Sequence, residues 1–96
     1  MSAKSEIETV VKKLLQTYNA ESALLFGSYA RGEETSESDI DLIIFGGDRF
    51  NKIDIFSLAE DLRRLTGKEA DVFEICELNV NTPFYENVMR EGIRIA

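Results

Sequence analysis

The segment "DIDLIIF", residues 39–45, places two carboxylates one residue apart at the head of an apolar run. Side chains alternate along a strand, so Asp39 and Asp41 point to one face with Cα atoms about 7 Å apart, while Ile40 and Leu42 point to the other. Like charges held this close raise each other's pKa and destabilise the fold unless a cation is bound. The segment therefore predicts a strand whose first residues hold a metal ion.

The residue types available narrow both the metal and the chemistry. The sequence contains no histidine and a single cysteine, Cys76. Carboxylate ligands without histidine or thiolate partners favour Mg²⁺ over zinc. The lack of histidine excludes Ser-His-Asp and Cys-His catalysis within the chain. Any reaction must use carboxylates, hydroxyls, backbone amides and cationic side chains.

Charge and hydropathy exclude several function classes. Eighteen acidic and eleven basic residues give a formal net charge of −7, which disfavours extended nucleic-acid binding. No apolar stretch approaches the roughly 20 residues needed to span a bilayer, and the first residues lack the apolar segment of a secretory signal. One cysteine cannot form an internal disulfide, so we expect a cytoplasmic protein with Cys76 as a small core residue.

Hydrophobic periodicity predicts a small α/β (α+β) domain over residues 1–96, with a mixed β-sheet flanked by helices. The last predicted helix begins at a Thr-Pro pair and ends before a glycine, residues that are typical of helix starts and ends. The predicted helices cover Ser5–Tyr18, Ser28–Arg31 (one turn), Ile53–Leu65 and Thr82 to just before Gly92, and the predicted strands cover Ala23–Phe26, Asp39–Phe45, Ala70–Ile75 and the short edge strand Ile93–Ile95.

A third carboxylate, Asp71, opens the strand "DVFEI". If this strand lies beside "DIDLIIF" with its start at the same end, Asp71 meets the aspartate pair. Three carboxylates can hold two Mg²⁺ ions about 3.5–4 Å apart, the arrangement used for in-line phosphoryl or nucleotidyl transfer. Glu74 points to the opposite face from Asp71, so we rank it well behind Asp71 as a site residue.

The pair Gly27-Ser28 follows a strand and precedes a helical turn. Glycine lets the backbone approach a ligand, and amides at a helix start attract phosphate. Ser28 adds a hydroxyl for a phosphate oxygen. Arg31 either neutralises a phosphate or forms an ion pair with Glu33, Glu34 or one of the core aspartates, and the sequence does not separate these alternatives.

The stretch "GSYARGEETSESDIDL" resembles the signature of the minimal nucleotidyltransferase family, within the DNA polymerase beta-like nucleotidyltransferase superfamily. That signature is Gly-Ser, ten intervening residues and Asp-x-Asp, here Gly27-Ser28 and Asp39-Ile40-Asp41. The likeness continues through a helix, the third acid in "GKEADVFEI" and the ending "EGIRIA", so it covers nearly the whole chain.

The resemblance implies a compact nucleotidyltransferase core that binds a Mg²⁺-nucleotide, usually ATP, and transfers a nucleoside monophosphate to a hydroxyl group. It implies that Asp39 and Asp41 are metal ligands and that Asp71 helps to activate the attacking hydroxyl. Many small members of this family are similar to antitoxins that bind a HEPN-domain toxin and, in some systems, adenylylate it on a tyrosine. The chain has no room for the substrate-binding domain of larger members, so a protein acceptor is expected.

Two other functions stay open from the sequence. One is a binding module with a weak catalytic site that neutralises a HEPN-type partner by occlusion. The other is a nucleotidyltransferase for a small molecule, working with a separate helical subunit. A homo-oligomer or a hetero-oligomer is compatible with each of them, because a core of this size gains stability from a partner.

Overall fold

A computed structural model describes residues 4–96 of the chain. The helical segments in this range are α1 (Lys4–Tyr18), the single turn α2 (Ser28–Arg31), α3 (Asp54–Thr66), a 3₁₀ turn (Ile75–Glu77) and α4 (Pro83–Glu91), and the strands are β1 (Ser22–Phe26), β2 (Ile40–Phe45), β3 (Ala70–Glu74) and β4 (Ile93–Arg94). Within residues 4–96 no helix combines the length and the apolar character needed to cross a membrane.

The four strands form one mixed sheet in the order β3-β2-β1-β4. Strand β1 pairs antiparallel with β2 and with β4, whereas β2 and β3 run parallel. The parallel pair is connected through α3, as parallel strands require a crossover. Both β2 and β3 therefore begin at the same edge of the sheet.

The two faces of the sheet support different cores. Helices α1 and α3 cover one face, and their apolar stripes meet the side chains of Leu25, Leu42 and Ile44 there in the larger cluster of buried residues. Helix α4 covers the other face through Val88, which packs in a smaller cluster with Ile43 and its neighbours. Asp41 and Ile43 alternate with Leu42 along β2, so Asp41 lies on the face that α4 covers.

Local signals in the sequence account for where the helices end. Helix α3 stops at Gly67, whose φ of 71° suits a left-handed C-cap and whose N–H donates to the Arg63 carbonyl at 2.8 Å. The Thr82 hydroxyl caps α4 by accepting from the Tyr85 N–H at 3.3 Å, with Pro83 in the first turn. Each cap satisfies a backbone group that the helix itself leaves without a partner.

The predicted order of helices and strands and the mixed α/β class are confirmed, with differences of one or two residues at most ends. Two expectations at the end of β3 are wrong. Ile75 was expected in the strand but begins the 3₁₀ turn, and Cys76 was expected in the core but is exposed on that turn. Both errors have one cause, because the Glu74 carboxylate accepts from the Cys76 N–H at 2.8 Å and turns the chain out of the sheet.

Glu74 is a buried carboxylate, 3% exposed, on the face opposite Asp71. Besides the bond from Cys76, its other oxygen accepts from the N–H of Gly46 at 3.3 Å. The Glu77 carboxylate in turn accepts from the N–H of Glu74 at 2.8 Å, which completes a capping box. Glu74 thus ties the end of β2 to the end of β3, a structural role that agrees with its low rank as a site residue.

We predict that Glu74→Ala lowers the free energy of unfolding by about 1–3 kcal/mol, because two backbone N–H groups lose their acceptor in a buried region. Urea denaturation followed by far-UV circular dichroism measures the loss. Glu86→Ala, at an exposed position in α4, is the control, and its free energy of unfolding is expected to stay within about 0.5 kcal/mol of the wild-type value. Equal unfolding midpoints for the two variants would contradict the role given to Glu74.

Candidate active site

The structure brings the three predicted acids to one edge of the sheet. Asp41 and Asp71 lie directly opposite each other in the register of the parallel strands β2 and β3. Neighbouring strands are about 4.8 Å apart, so the two carboxylates share one surface. Asp39 immediately precedes β2, two residues before Asp41. The condition drawn from the sequence, two strands that lie side by side and start at the same edge, is met for Asp41 and Asp71.

The electrostatics of the edge centre on Asp41, which is half-buried, whereas Asp39 and Asp71 are exposed. The pKa of the Asp41 carboxyl is raised, first because burial disfavours its charge and then because Asp71 and Asp39 are like charges nearby. Arg31 opposes this shift and lowers the pKa. The negative charge of the edge is thus only partly neutralised by the protein itself.

This set of donors fits a hard divalent cation by its chemistry, because it consists of carboxylate oxygens with no nitrogen or sulfur ligand. Within residues 4–96, however, no three acidic, cysteine or histidine side chains converge closely enough to form a ready-made metal site. The side chains of Asp39 and Asp71 are exposed, and the strand register fixes the backbone position of Asp71 opposite Asp41. The backbone thus places the carboxylates along one edge of the sheet, without a ready-made set of three ligands in the described part of the chain.

Gly27 brings the predicted phosphate-binding turn against Asp41. It lies between β1 and α2, with φ 72° and ψ −148°, and it directly follows Phe26, which pairs with Asp41 in the sheet. A Cβ atom at Gly27 would lie 2.3 Å from Oδ2 of Asp41, so only glycine fits here. The turn α2 follows Gly27 directly, and the amides of Ala30 and Arg31 both donate to the Gly27 carbonyl at 3.1 Å.

Arg31, at the end of α2, forms ion pairs on two sides. Its guanidinium contacts the Glu33 carboxylate at 2.9 Å and the Glu91 carboxylate of α4 at 3.8 Å. The hydrogen bond to Glu33 is the first cause of a raised pKa of Arg31. The ion pair with Glu33 was one of the alternatives drawn from the sequence, and the contact with Glu91 was not foreseen. Because its side chain is 45% exposed, Arg31 is able to turn toward an anion.

Lys68, the cation that precedes Asp71 by three residues, does not neutralise it. Its ammonium group donates to the Ser36 carbonyl at 2.9 Å. That contact anchors the loop between α2 and β2 to the segment before β3. Lys68 therefore supports the loop that precedes Asp39.

Helix α4 contributes a wall that was not predicted as part of the site. Phe84, Asn87, Val88 and Glu91 line a cavity of about 240 Å³ together with Gly27 and other residues at the end of β1 and in α2. The spacing of these four residues marks one face of a helix, and this pattern was visible in the sequence. The sequence does not show that this face packs beside α2, because that contact joins segments about 55 residues apart.

Comparisons with known proteins agree with this arrangement. The sequence model of the family described as "Polymerase beta, Nucleotidyltransferase" matches residues 9–96. A protein of Methanocaldococcus jannaschii, provisionally named a protein adenylyltransferase, is 32% identical, and the match covers 97% of this chain and 97% of that protein.

Solved structures share the fold. A toxin-antitoxin complex crystallised with AMP-PNP contains a chain with a TM-score of 0.78 and 24% identity, and the match covers 93% of this chain and 72% of that one. A complex of a tri-AMPylated Shewanella oneidensis HEPN toxin with its MNT antitoxin gives a TM-score of 0.74 at 21% identity, over 98% of this chain and 72% of that one. At these identities the likeness establishes the fold alone.

We predict that Gly27→Ala destabilises the protein by roughly 1–3 kcal/mol, because the new Cβ meets Oδ2 of Asp41 and the backbone conformation suits glycine. Gly32→Ala is the control, since Gly32 also has a positive φ but has open space around it. A double-mutant cycle with Asp41→Ala isolates the contact. The cost of Gly27→Ala falls in the Asp41→Ala background if the contact is real, and an unchanged cost would contradict it.

We predict that Asp41→Asn raises the melting temperature at pH 7 without divalent cations. The pKa of Asp41 is raised in the folded state, so stability decreases as the pH rises from the range of a free Asp carboxyl through the folded-state pKa, and the penalty is fully present at neutral pH. Melting curves from pH 3 to pH 7 measure the effect, and the gain of the variant should vanish at low pH. Asp48→Asn, in an exposed turn, is the control, and a pH-independent difference between Asp41→Asn and wild type would contradict the explanation.

Proposed function

The chain belongs to the polymerase beta nucleotidyltransferase family, and from that premise we propose that it transfers an adenylyl group from Mg²⁺-ATP to a hydroxyl group of a HEPN-type partner protein. The observation that carries the proposal is the register that sets Asp41 opposite Asp71, with the Gly27 backbone directly against Asp41. A phosphate-binding turn and a row of carboxylates in contact are what a metal-bound triphosphate requires. The remaining steps follow from this juxtaposition.

In the proposed complex, Asp39, Asp41 and Asp71 hold two Mg²⁺ ions, which when bound neutralise the charge that develops on the triphosphate and on the departing pyrophosphate. Gly27 and Ser28 hold the phosphates, because the glycine allows close approach and the serine supplies an amide and a hydroxyl. Arg31 lies three residues after Ser28 and exchanges Glu33 for a phosphate oxygen. Holding the reactants in line supplies much of the rate in such transfers.

The reaction itself exchanges one phosphorus–oxygen bond for another. The hydroxyl oxygen of the acceptor attacks the α-phosphorus of ATP and forms the new bond. The bond from this phosphorus to the oxygen that bridges to the β-phosphorus breaks, and pyrophosphate leaves. Asp71, exposed at the start of β3, accepts the hydroxyl proton, a role that no histidine can take in this chain.

The identity of the acceptor is proposed from two kinds of likeness. The Methanocaldococcus jannaschii relative is provisionally named for the adenylylation of protein, and a structure of the same fold contains an AMPylated HEPN toxin beside its MNT antitoxin. The formal net charge of −7 makes an extended nucleic-acid acceptor unfavourable. A hydroxyl side chain of a HEPN-type protein, such as a tyrosine, is therefore the proposed acceptor.

One observation favours a second candidate, neutralisation of the same partner by occlusion alone. Within residues 4–96 the acids do not form a ready-made metal site, as expected of a site with weak catalysis. The two candidates differ in what the aspartates are for. Occlusion needs the surface of the domain, whereas adenylylation needs the carboxylates as well.

The test is the transfer of label from α-³²P-ATP with Mg²⁺ to a HEPN-family protein from the same genome. We expect Asp39→Asn and Asp41→Asn to lose transfer by at least about 10²–10³-fold and Asp71→Asn by about 10²–10⁴-fold, with unchanged circular dichroism. Asp48→Asn is the matched control, since it makes the same change at an exposed turn away from the three acids. Equal transfer by wild type and the three site variants would overturn the proposal.

A second experiment, read together with the transfer assay, separates occlusion from adenylylation. A variant with all three aspartates changed to asparagine is tested for partner neutralisation in cells that express the HEPN-family protein. If neutralisation depends on the aspartates, adenylylation is the function. If neutralisation persists in full while wild type transfers no label, occlusion is the function.

A further inference from the structure

The cavity between α2 and α4 continues directly from the phosphate-binding turn. Gly27 and Arg31 form its wall on one side, and α4 forms the opposite wall. Gly27 is also the residue that touches Asp41, so the cavity opens next to the carboxylate row. Its volume of about 240 Å³ lies below the roughly 300–1,000 Å³ of whole-ligand pockets, so it suits one part of a nucleotide.

An aromatic ring supplies an apolar surface for a flat ligand. Phe84 is 46% exposed, which is unusual for a phenylalanine in the face of a helix that meets the sheet. It packs edge-to-face against Phe26, with ring centroids 5.8 Å apart, and against Phe73, with centroids 6.3 Å apart. These two contacts hold the ring, which lines the cavity. Stacking of a nucleobase on a fixed aromatic ring is a recurrent mode of recognition.

Two polar side chains of α4 line the same cavity one helical turn apart. The Asn87 amide offers a donor and an acceptor side by side, and the Arg90 guanidinium donates to its oxygen and so fixes the orientation of the amide. The Glu91 carboxylate is an acceptor only, and its contact with Arg31 at 3.8 Å is too long for a hydrogen bond. Its oxygens therefore remain available to a ligand.

This combination discriminates among bases by their exocyclic group. Adenine presents an amino group beside a ring nitrogen, which an Asn amide can bind through two hydrogen bonds. The carboxylate of Glu91 accepts from an amino group and repels the carbonyl oxygen that guanine carries at the same position. Guanine carries an amino group as well, at C2, so the discrimination depends on which edge faces α4. When the edge that carries N7 faces α4, an acceptor-only group beside an amide favours adenine, which presents an amino group there, over guanine, which presents a carbonyl oxygen.

We propose that this cavity binds the base of the nucleoside triphosphate and selects adenine over guanine, with Phe84 stacking on the ring and Asn87 and Glu91 forming hydrogen bonds to its edge. The inference rests on the proposed function, because it assumes that a triphosphate occupies the turn at Gly27. It adds what the family chemistry leaves open, namely how this chain distinguishes one nucleotide from another.

The test measures binding of the non-hydrolysable analogues of ATP and GTP, with Mg²⁺, by isothermal titration calorimetry. We expect wild type to prefer the ATP analogue, and Glu91→Gln to reduce the ratio of the two dissociation constants by roughly 5- to 150-fold, since glutamine can donate to the guanine carbonyl oxygen. The lost charge of Glu91 acts on both nucleotides equally, so the ratio isolates recognition of the base. Asn87→Ala should reduce the same ratio.

Phe84→Leu tests stacking independently. We expect this substitution to reduce the affinity for the ATP analogue by roughly 5- to 150-fold and to leave the affinity for inorganic triphosphate with Mg²⁺ unchanged. Two matched controls lie outside the cavity: Glu86→Gln on the same helix, and Phe56→Leu on α3, where Phe56 is 75% exposed. Both should bind the analogues as wild type does.

The outcomes separate this inference from the proposed function. If wild type binds the ATP analogue but Glu91→Gln and Asn87→Ala keep its selectivity and Phe84→Leu keeps its affinity, the cavity does not bind the base and nucleotidyl transfer still stands. A wild-type preference for the GTP analogue also overturns the inference alone. If wild type binds neither analogue in the presence of Mg²⁺, both the inference and the proposed function fail.

Discussion

The parallel pairing of β2 with β3 is the constraint on which the site depends. It sets Asp41 opposite Asp71, and a slip of one residue would turn every side chain of one strand to the other face and separate the two carboxylates. The apolar pattern prevents that slip, because Leu42 and Ile44 are fully buried against α1 and α3 while Ile43 is fully buried against α4. The hydrophobic core thus determines the position of the acids.

The acidic edge opposes folding, and the rest of the domain compensates for it. Asp41 carries a raised pKa through burial and the charges of Asp71 and Asp39, so the ionised site costs stability when no cation is present. Sites arranged for function often carry such a cost, and removing them commonly stabilises a protein. Gly27 adds a second cost, a backbone conformation that only glycine adopts easily. Both costs fall where the proposed triphosphate and cations would bind.

Periodicity and local signals in the sequence were sufficient for the helices, the strands and the position of the three acids at or just before strand starts, because each depends on residues close in sequence. The sequence could predict that Asp71 lies opposite Asp41 only if the two strands run parallel side by side. The observed register of β2 and β3 meets that condition. The exposure of Cys76 was missed because it depends on the Glu74 carboxylate capping a turn after β3. The contact between Arg31 and Glu91 joins α2 to α4 across 60 residues, and charge alone could not choose it over Glu33.

The two faces of the sheet differ in how completely helices cover them. One face is closed by two long helices and holds most of the buried side chains, whereas the other has α4 alone over the row that leads from Ile43 to Asp41. A single helix cannot cover that face to the edge, so a cavity remains between α4 and the turn at Gly27. Substitutions on the cavity side of α4 can therefore change what the cavity accepts without disturbing the core that holds the acids. Under the proposal that the cavity binds a base, this separation would let the arrangement of carboxylates stay fixed while base recognition changes.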